Sequence, residues 1–134
     1  MLREQDIGTV SGTMLGGTAG CEPNHPMPVV SFRGTLDDVC VYDGAPGYPS
    51  SAEVVSFWND FNGISGQPTI TNVNDRGMTI ERSVYSGGGN GSMVVRYKLV
   101  GGEHVWFDMN FEGSNTGQII WDFVSQYRLG DLQQ

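Results

Sequence analysis

The sequence predicts an α/β fold: a mixed, mostly parallel sheet of about four strands with flanking helices. Three observations carry that expectation. Residues 28–32 (PVVSF) are a short, apolar, β-rich run of the kind that suits a central parallel strand. Residues 50–63 carry helix punctuation and an apolar stripe at helical spacing. Residues 79–85 (TIERSVY) and 93–100 (MVVRYKLV) read as strands joined by the hairpin signal SGGGNGS. Strand, helix, hairpin and helix in that order describe an α/β unit.

Taken along the chain, residues 7–10 (IGTV) are a short buried strand, ended by the turn signal Ser11-Gly12. Glycine and proline then dominate up to residue 28, with Pro23, Pro26 and Pro28 marking an irregular surface loop. The strand at 28–32 runs into a turn, RGTLDD. In the following helix Ser50 and Glu53 have capping-box spacing, Gly63 is a stop signal, and Val54, Phe57, Trp58 and Phe61 form the buried stripe. On the strand at 93–100, Met93, Val95, Tyr97 and Leu99 share one face while Arg96 and Lys98 share the other. A last helix near 117–127 presents Ile119, Ile120, Phe123, Val124 and Tyr127, with Asn115 or Thr116 as its cap. The strands at 7–10, 28–32 and 93–100 are expected to be parallel, with 79–85 antiparallel to 93–100. No repeat or long linker divides residues 1–134, which read as one domain.

Composition narrows the function. The 134 residues are enough to bury a core, and 38% hydrophobic residues fit a globular chain. A net charge of −8 with seven Lys and Arg would repel a phosphate backbone, so no nucleic-acid partner is expected. No apolar run reaches the roughly 18 residues of a membrane span, and MLREQDIG lacks a signal peptide's apolar stretch. Cys21 and Cys40 form one disulfide or none, and read better as two buried thiols. With His25 and His104 the only histidines, and no CxxC or HxxxH spacing, neither a metal nor a cofactor is expected.

In open α/β sheets ligands gather beyond the carboxyl ends of the strands. Asp37-Asp38 follow the strand at 28–32, and Gly101-Gly102-Glu103-His104 follow the strand at 93–100. If these strands are parallel neighbours, a carboxylate and an imidazole emerge side by side, as a general base and its orienting acid require. Spacing alone leaves the plainer alternative open, in which the Asp is a turn former and the His a satisfied surface residue.

Four motifs in order sharpen this. PVVSFRGTLDDVCVYDG resembles the segment PVxxxHGTxDxxVPYxGG of polyhydroxybutyrate depolymerase-like and feruloyl esterase-like hydrolases. SAEVVSFWNDFNG is similar to the helix that follows it there, RYKLVGGEHVW to their YxxxGGGHxW, and IIWDF to their closing helix. The resemblance spans roughly residues 7–128 and implies the C-terminal half of an α/β-hydrolase fold. It implies Asp37 as the triad acid, with Asp38 a credible substitute, and His104 as the triad base. Tyr42 and Trp106 match aromatics near the site and are the candidate substrate-binding residues, although both also suit plain packing. The family's members are often secreted.

The departures matter as much. Arg33 stands where the family has His before Gly-Thr, Cys40-Val41 replace Val-Pro, and Glu103 replaces a glycine before the base. A second carboxylate beside His104 would favour the charged imidazole, which is wrong for a resting base. Segments 62–64 and 86–88 each lack a cysteine that relatives often carry, as the loss of one disulfide would look. The family's nucleophile sits in GxSxG, and no GxSxG occurs here; Ser11 and Ser65 adjoin glycine without matching it. The expected function is therefore a partial carboxylic ester hydrolase that supplies acid and histidine and is inactive alone. The alternative is a non-catalytic remnant acting as a binding or oligomerising module, and a third reading makes Ser11 a different nucleophile. The expected partner is a second copy or a missing N-terminal hydrolase half, because the strand at 7–10 would lie at a bare sheet edge.

Overall fold

The computed structural model describes residues 7–10, 28–37, 42–44, 49–103 and 109–132. Their main sheet contains β1 (Ile7–Val10), β2 (Val29–Gly34), β3 (Thr69–Asp75), β4 (Met78–Tyr85) and β5 (Val94–Leu99), in the order β1-β2-β5-β4-β3. Helix α1 (Ser51–Asn62) lies between β2 and β3, and α2 (Thr116–Leu132) follows a small ribbon of β6 (Asn110–Phe111) and β7 (Ser114–Asn115). β1 is parallel to β2, β2 is parallel to β5, and β4 is antiparallel to β5, as the strand patterns predict.

β5 is central because both of its faces are apolar at their buried positions. Val95, Tyr97 and Leu99 pack with Val30, Phe32 and Ile80 on one face, where Phe123 of α2 and Phe111 of the ribbon complete the cluster. Phe32 stacks on Tyr97 at 4.5 Å between ring centroids, and Phe111 meets Tyr97 edge-on at 5.4 Å. On the other face Val29 and Val94 pack under Val54, Val55 and Trp58 of α1. The sheet is thus sandwiched between the two helices. Each fully buried large apolar side chain in these two clusters contributes about 1.5–3 kcal/mol.

The caps read from sequence form. Ser50 Oγ accepts from the Glu53 N–H and Glu53 Oε1 accepts from the Ser50 N–H, while Gly63 closes α1 in the left-handed conformation. At α2 the cap is Asn115, whose Oδ1 accepts from the Gln118 N–H at 2.9 Å, with Gln118 Oε1 accepting in return from the Asn115 N–H. α2 runs to Leu132, beyond the expected end near 127.

The main sheet has five strands, one more than the four named from the sequence. The strand absent from the sequence reading is β3, TITNVND, whose residues are mostly exposed. It forms because Asp75-Arg76-Gly77-Met78 makes a two-residue hairpin with positive φ at Arg76 and Gly77. Asn74 Oδ1 fixes the turn by accepting from the Gly77 N–H at 3.1 Å. The side chains of β1, Val124 and Tyr127, and both Cys21 and Cys40, lie outside the described residues. No described helix is long and apolar enough to cross a membrane.

Candidate functional site at the carboxyl edge of the central strands

β2 and β5 end level with one another, Gly34 paired with Leu99 in the parallel register. Beyond them the two connections are laced together by backbone. The Thr35 N–H donates to the Leu99 carbonyl at 3.1 Å, and the Leu36 N–H donates to the Gly102 carbonyl at 2.8 Å. In the opposite sense the Gly101 N–H donates to Thr35 Oγ1 at 2.8 Å. The Gly102 N–H turns back to the Leu99 carbonyl at 3.0 Å, and Asp37 N–H to Gly34 at 3.4 Å.

Gly34 is what lets the two connections approach. A Cβ built on it would sit 2.2 Å from the Gly102 oxygen and 2.4 Å from its carbonyl carbon. Backbone atoms at that distance have no flexible end to swing away, so only glycine fits. Asp37 then lies three residues past Gly34 and is buried, with 3% of its surface exposed. Arg33, the residue that departs from the family pattern, is also buried, at 1% exposure, and is paired in register with Lys98.

Tyr42 is half-buried on the same side as the start of α1: its carbonyl accepts from the Ser51 N–H at 2.8 Å. Lys98 Nζ stands 5.6 Å from its ring centroid, within cation–π range. Its phenol oxygen is buried and has no hydrogen-bond partner among the described residues. Glu103 is exposed at the end of the post-β5 turn. His104, Trp106, Asp38 and Ser11 lie outside the described residues; Ser65 is exposed on the loop after α1. The structure therefore unites the Asp37 connection with the one that leads into His104, and puts Tyr42 beside Lys98 at the end of β5.

Sequence reasoning missed the clamp itself. Thr35 and the Gly34–Gly102 contact hold the edge together, and the only signal was the pair of Gly-containing motifs RGT and GG. Segments 62–64 and 86–88 do meet, since a Cβ on Gly88 would lie 3.1 Å from Ile64 Cγ1. Among the described residues no three His, Cys, Asp or Glu are grouped as a metal site.

No protein-family model matches this sequence. The chain is 30% identical over 118 residues to feruloyl esterase B of Piromyces equi, a stretch covering 81% of this chain and 20% of that protein. It spans about a fifth of the length of the curated relative it matches. The likeness is to part of an esterase, in a chain whose mixed sheet and two helices are of α/β type.

Proposed function

We propose that this chain supplies the acid and the base of a carboxylic ester hydrolase of the polyhydroxybutyrate depolymerase and feruloyl esterase type. In this reading Asp37 holds the imidazole of His104 in one tautomer and stabilises it once protonated. His104 takes the proton from a serine hydroxyl as it attacks the ester carbonyl, and returns it to the departing alcohol. The serine and the oxyanion donors come from a GxSxG-bearing segment, which is not found in this sequence. Tyr42 and Trp106 flank the acyl group.

The lacing of the two connections is the observation that carries this reading. Asp37 is three residues from Gly34, and His104 two from Gly102, the two glycines being in backbone contact. Tethers of three and two residues reach at most about 11 and 7 Å, short enough to allow the carboxylate and the imidazole to meet, which supports the pairing. Likeness to part of feruloyl esterase B adds the reaction class, and feruloyl esters as substrates.

On this account the isolated chain hydrolyses neither methyl ferulate nor p-nitrophenyl acetate above background, because a base without nucleophile or oxyanion donors stabilises little of the transition state. Esterase activity that requires both His104 and Ser11, with a phosphonate adduct on Ser11, overturns it. β1 forms an edge of the described sheet, and its outer side takes either the missing half or a second copy. For a homodimer, light scattering gives twice the 14.6 kDa chain mass; the monomer mass contradicts self-pairing.

A further inference from the structure

The sheet face under α1 holds a cleft of about 390 Å³. Its polar walls are Ser56, Asn59 and Asp60 of α1, Ser65 on the next loop, and Tyr85 and Arg96 of the sheet. The cleft does not include Asp37, Tyr42 or the laced connections. Its volume lies in the range of small-molecule sites, about 300–1,000 Å³.

Beneath these walls three polar atoms are buried with no hydrogen-bond partner: Asn59 Oδ1, Arg96 Nε and Ser83 Oγ. Ser83 is 1% exposed and pairs directly with Arg96 across β4 and β5, so the two side chains share this face. Arg96 uses a terminal nitrogen on Glu81 at 3.7 Å, which leaves Nε as a donor. Buried polar atoms in folded proteins are nearly always satisfied, and a concentration of orphans beside a cleft marks the place where something else completes them.

Charge and group chemistry select the occupant. Asp60 and Arg96 are the charged residues of the lining, and Glu81 already engages Arg96. An anion would face two carboxylates and a cation would face the guanidinium, so neither is favoured. What the walls offer is a mixture of closely spaced donors and acceptors beside the ring of Tyr85 and the apolar side chains of Val55 and Ile64. We propose that this cleft binds a neutral polyhydroxylated molecule the size of a monosaccharide. One hydroxyl accepts from Arg96 Nε and another donates to Asn59 Oδ1, after small side-chain rotations that bring both atoms to the cleft surface. Ser83 Oγ completes the network from below.

Titration of the ¹⁵N-labelled chain with D-glucose and with D-xylose, followed by amide NMR, tests this. Saturable shifts are expected at Asn59, Gly66 and Arg96, with dissociation constants on the order of millimolar. Asn59→Leu should weaken binding about 10-fold, the loss of one buried hydrogen bond. Ser56→Trp, at an exposed helix position on the rim, should abolish it while leaving the remaining amide spectrum in place. Absence of saturable shifts with either sugar up to about 100 mM overturns the proposal, as does affinity unchanged in both variants. Sodium benzoate binding the same amides as tightly as the sugars also overturns it, since the site would then select an anion.

Discussion

Phe32 on β2 and Leu99 on β5 are fully buried, whereas Ile70 on β3 is 53% exposed, although all three belong to one sheet. The difference goes beyond burial. The central pair is parallel and non-local, and its connections pack backbone on backbone through Gly34 and Gly102. The outer pair is a hairpin whose register is set by its own turn at Arg76-Gly77. One region depends on distant parts of the chain fitting together. The other depends on two residues with positive φ. The candidate site sits on the first.

The largest effect that would break this comparison is side-chain truncation. Phe32→Ala should cost about 3–5 kcal/mol in urea unfolding, while Ile70→Ala should stay within about 0.5 kcal/mol. Equal losses would mean that β3 is integral to the core. Next come the glycines. Gly34→Ala forces a Cβ into the Gly102 carbonyl and should cost about 2–3 kcal/mol, against about 1 kcal/mol for Gly77→Ala, where φ is strained but space is open. A Gly34→Ala variant of wild-type stability would remove the clamp from the account. Smaller again, Ser50→Ala and Asn115→Ala should each cost about 1 kcal/mol as lost helix caps, measured by thermal unfolding.

The smallest effect is a pH slope. Burial raises the Tyr97 pKa, against the opposing hydrogen bond and charge of Arg82. The folded state therefore holds this proton more tightly than the unfolded chain does. Its contribution is complete below the unfolded value of about 10 and is lost as pH rises through the higher folded value. Unfolding measured from pH 8 to 11 should show stability falling above about pH 10, and Tyr97→Phe should flatten that fall. An unchanged slope in the variant would assign it to other groups.

What was legible in the sequence follows the same division of regions, with one reversal. α1 announced itself through Ser50, Glu53, Gly63 and a stripe of apolar residues, because each signal is local and repeated. β5 was legible because Val95, Tyr97 and Leu99 alternate with Arg96 and Lys98. The local hairpin at Asp75-Arg76-Gly77 escaped, since β3 places Thr on one face and Asn on the other, with a single large apolar residue on each, and so has little apolar surface to create a period. Its one available signal was Asn74 ahead of Gly77, which proves to be the side chain that fixes the turn. At the site, Asp37 could be named from its motif, but the contact between Gly34 and Gly102 could not. A contact between two backbones leaves no side-chain pattern, only the requirement for glycine at one position.

The pairing of Asp37 with His104 is the central claim, and titration of the His104 ring protons by NMR tests it most directly. An adjacent carboxylate favours the imidazolium, so Asp37→Asn should lower the His104 pKa by about 1 unit or more. Glu103→Gln, which removes an exposed carboxylate, should lower it by less. A His104 titration that Asp37→Asn leaves unmoved would contradict the account.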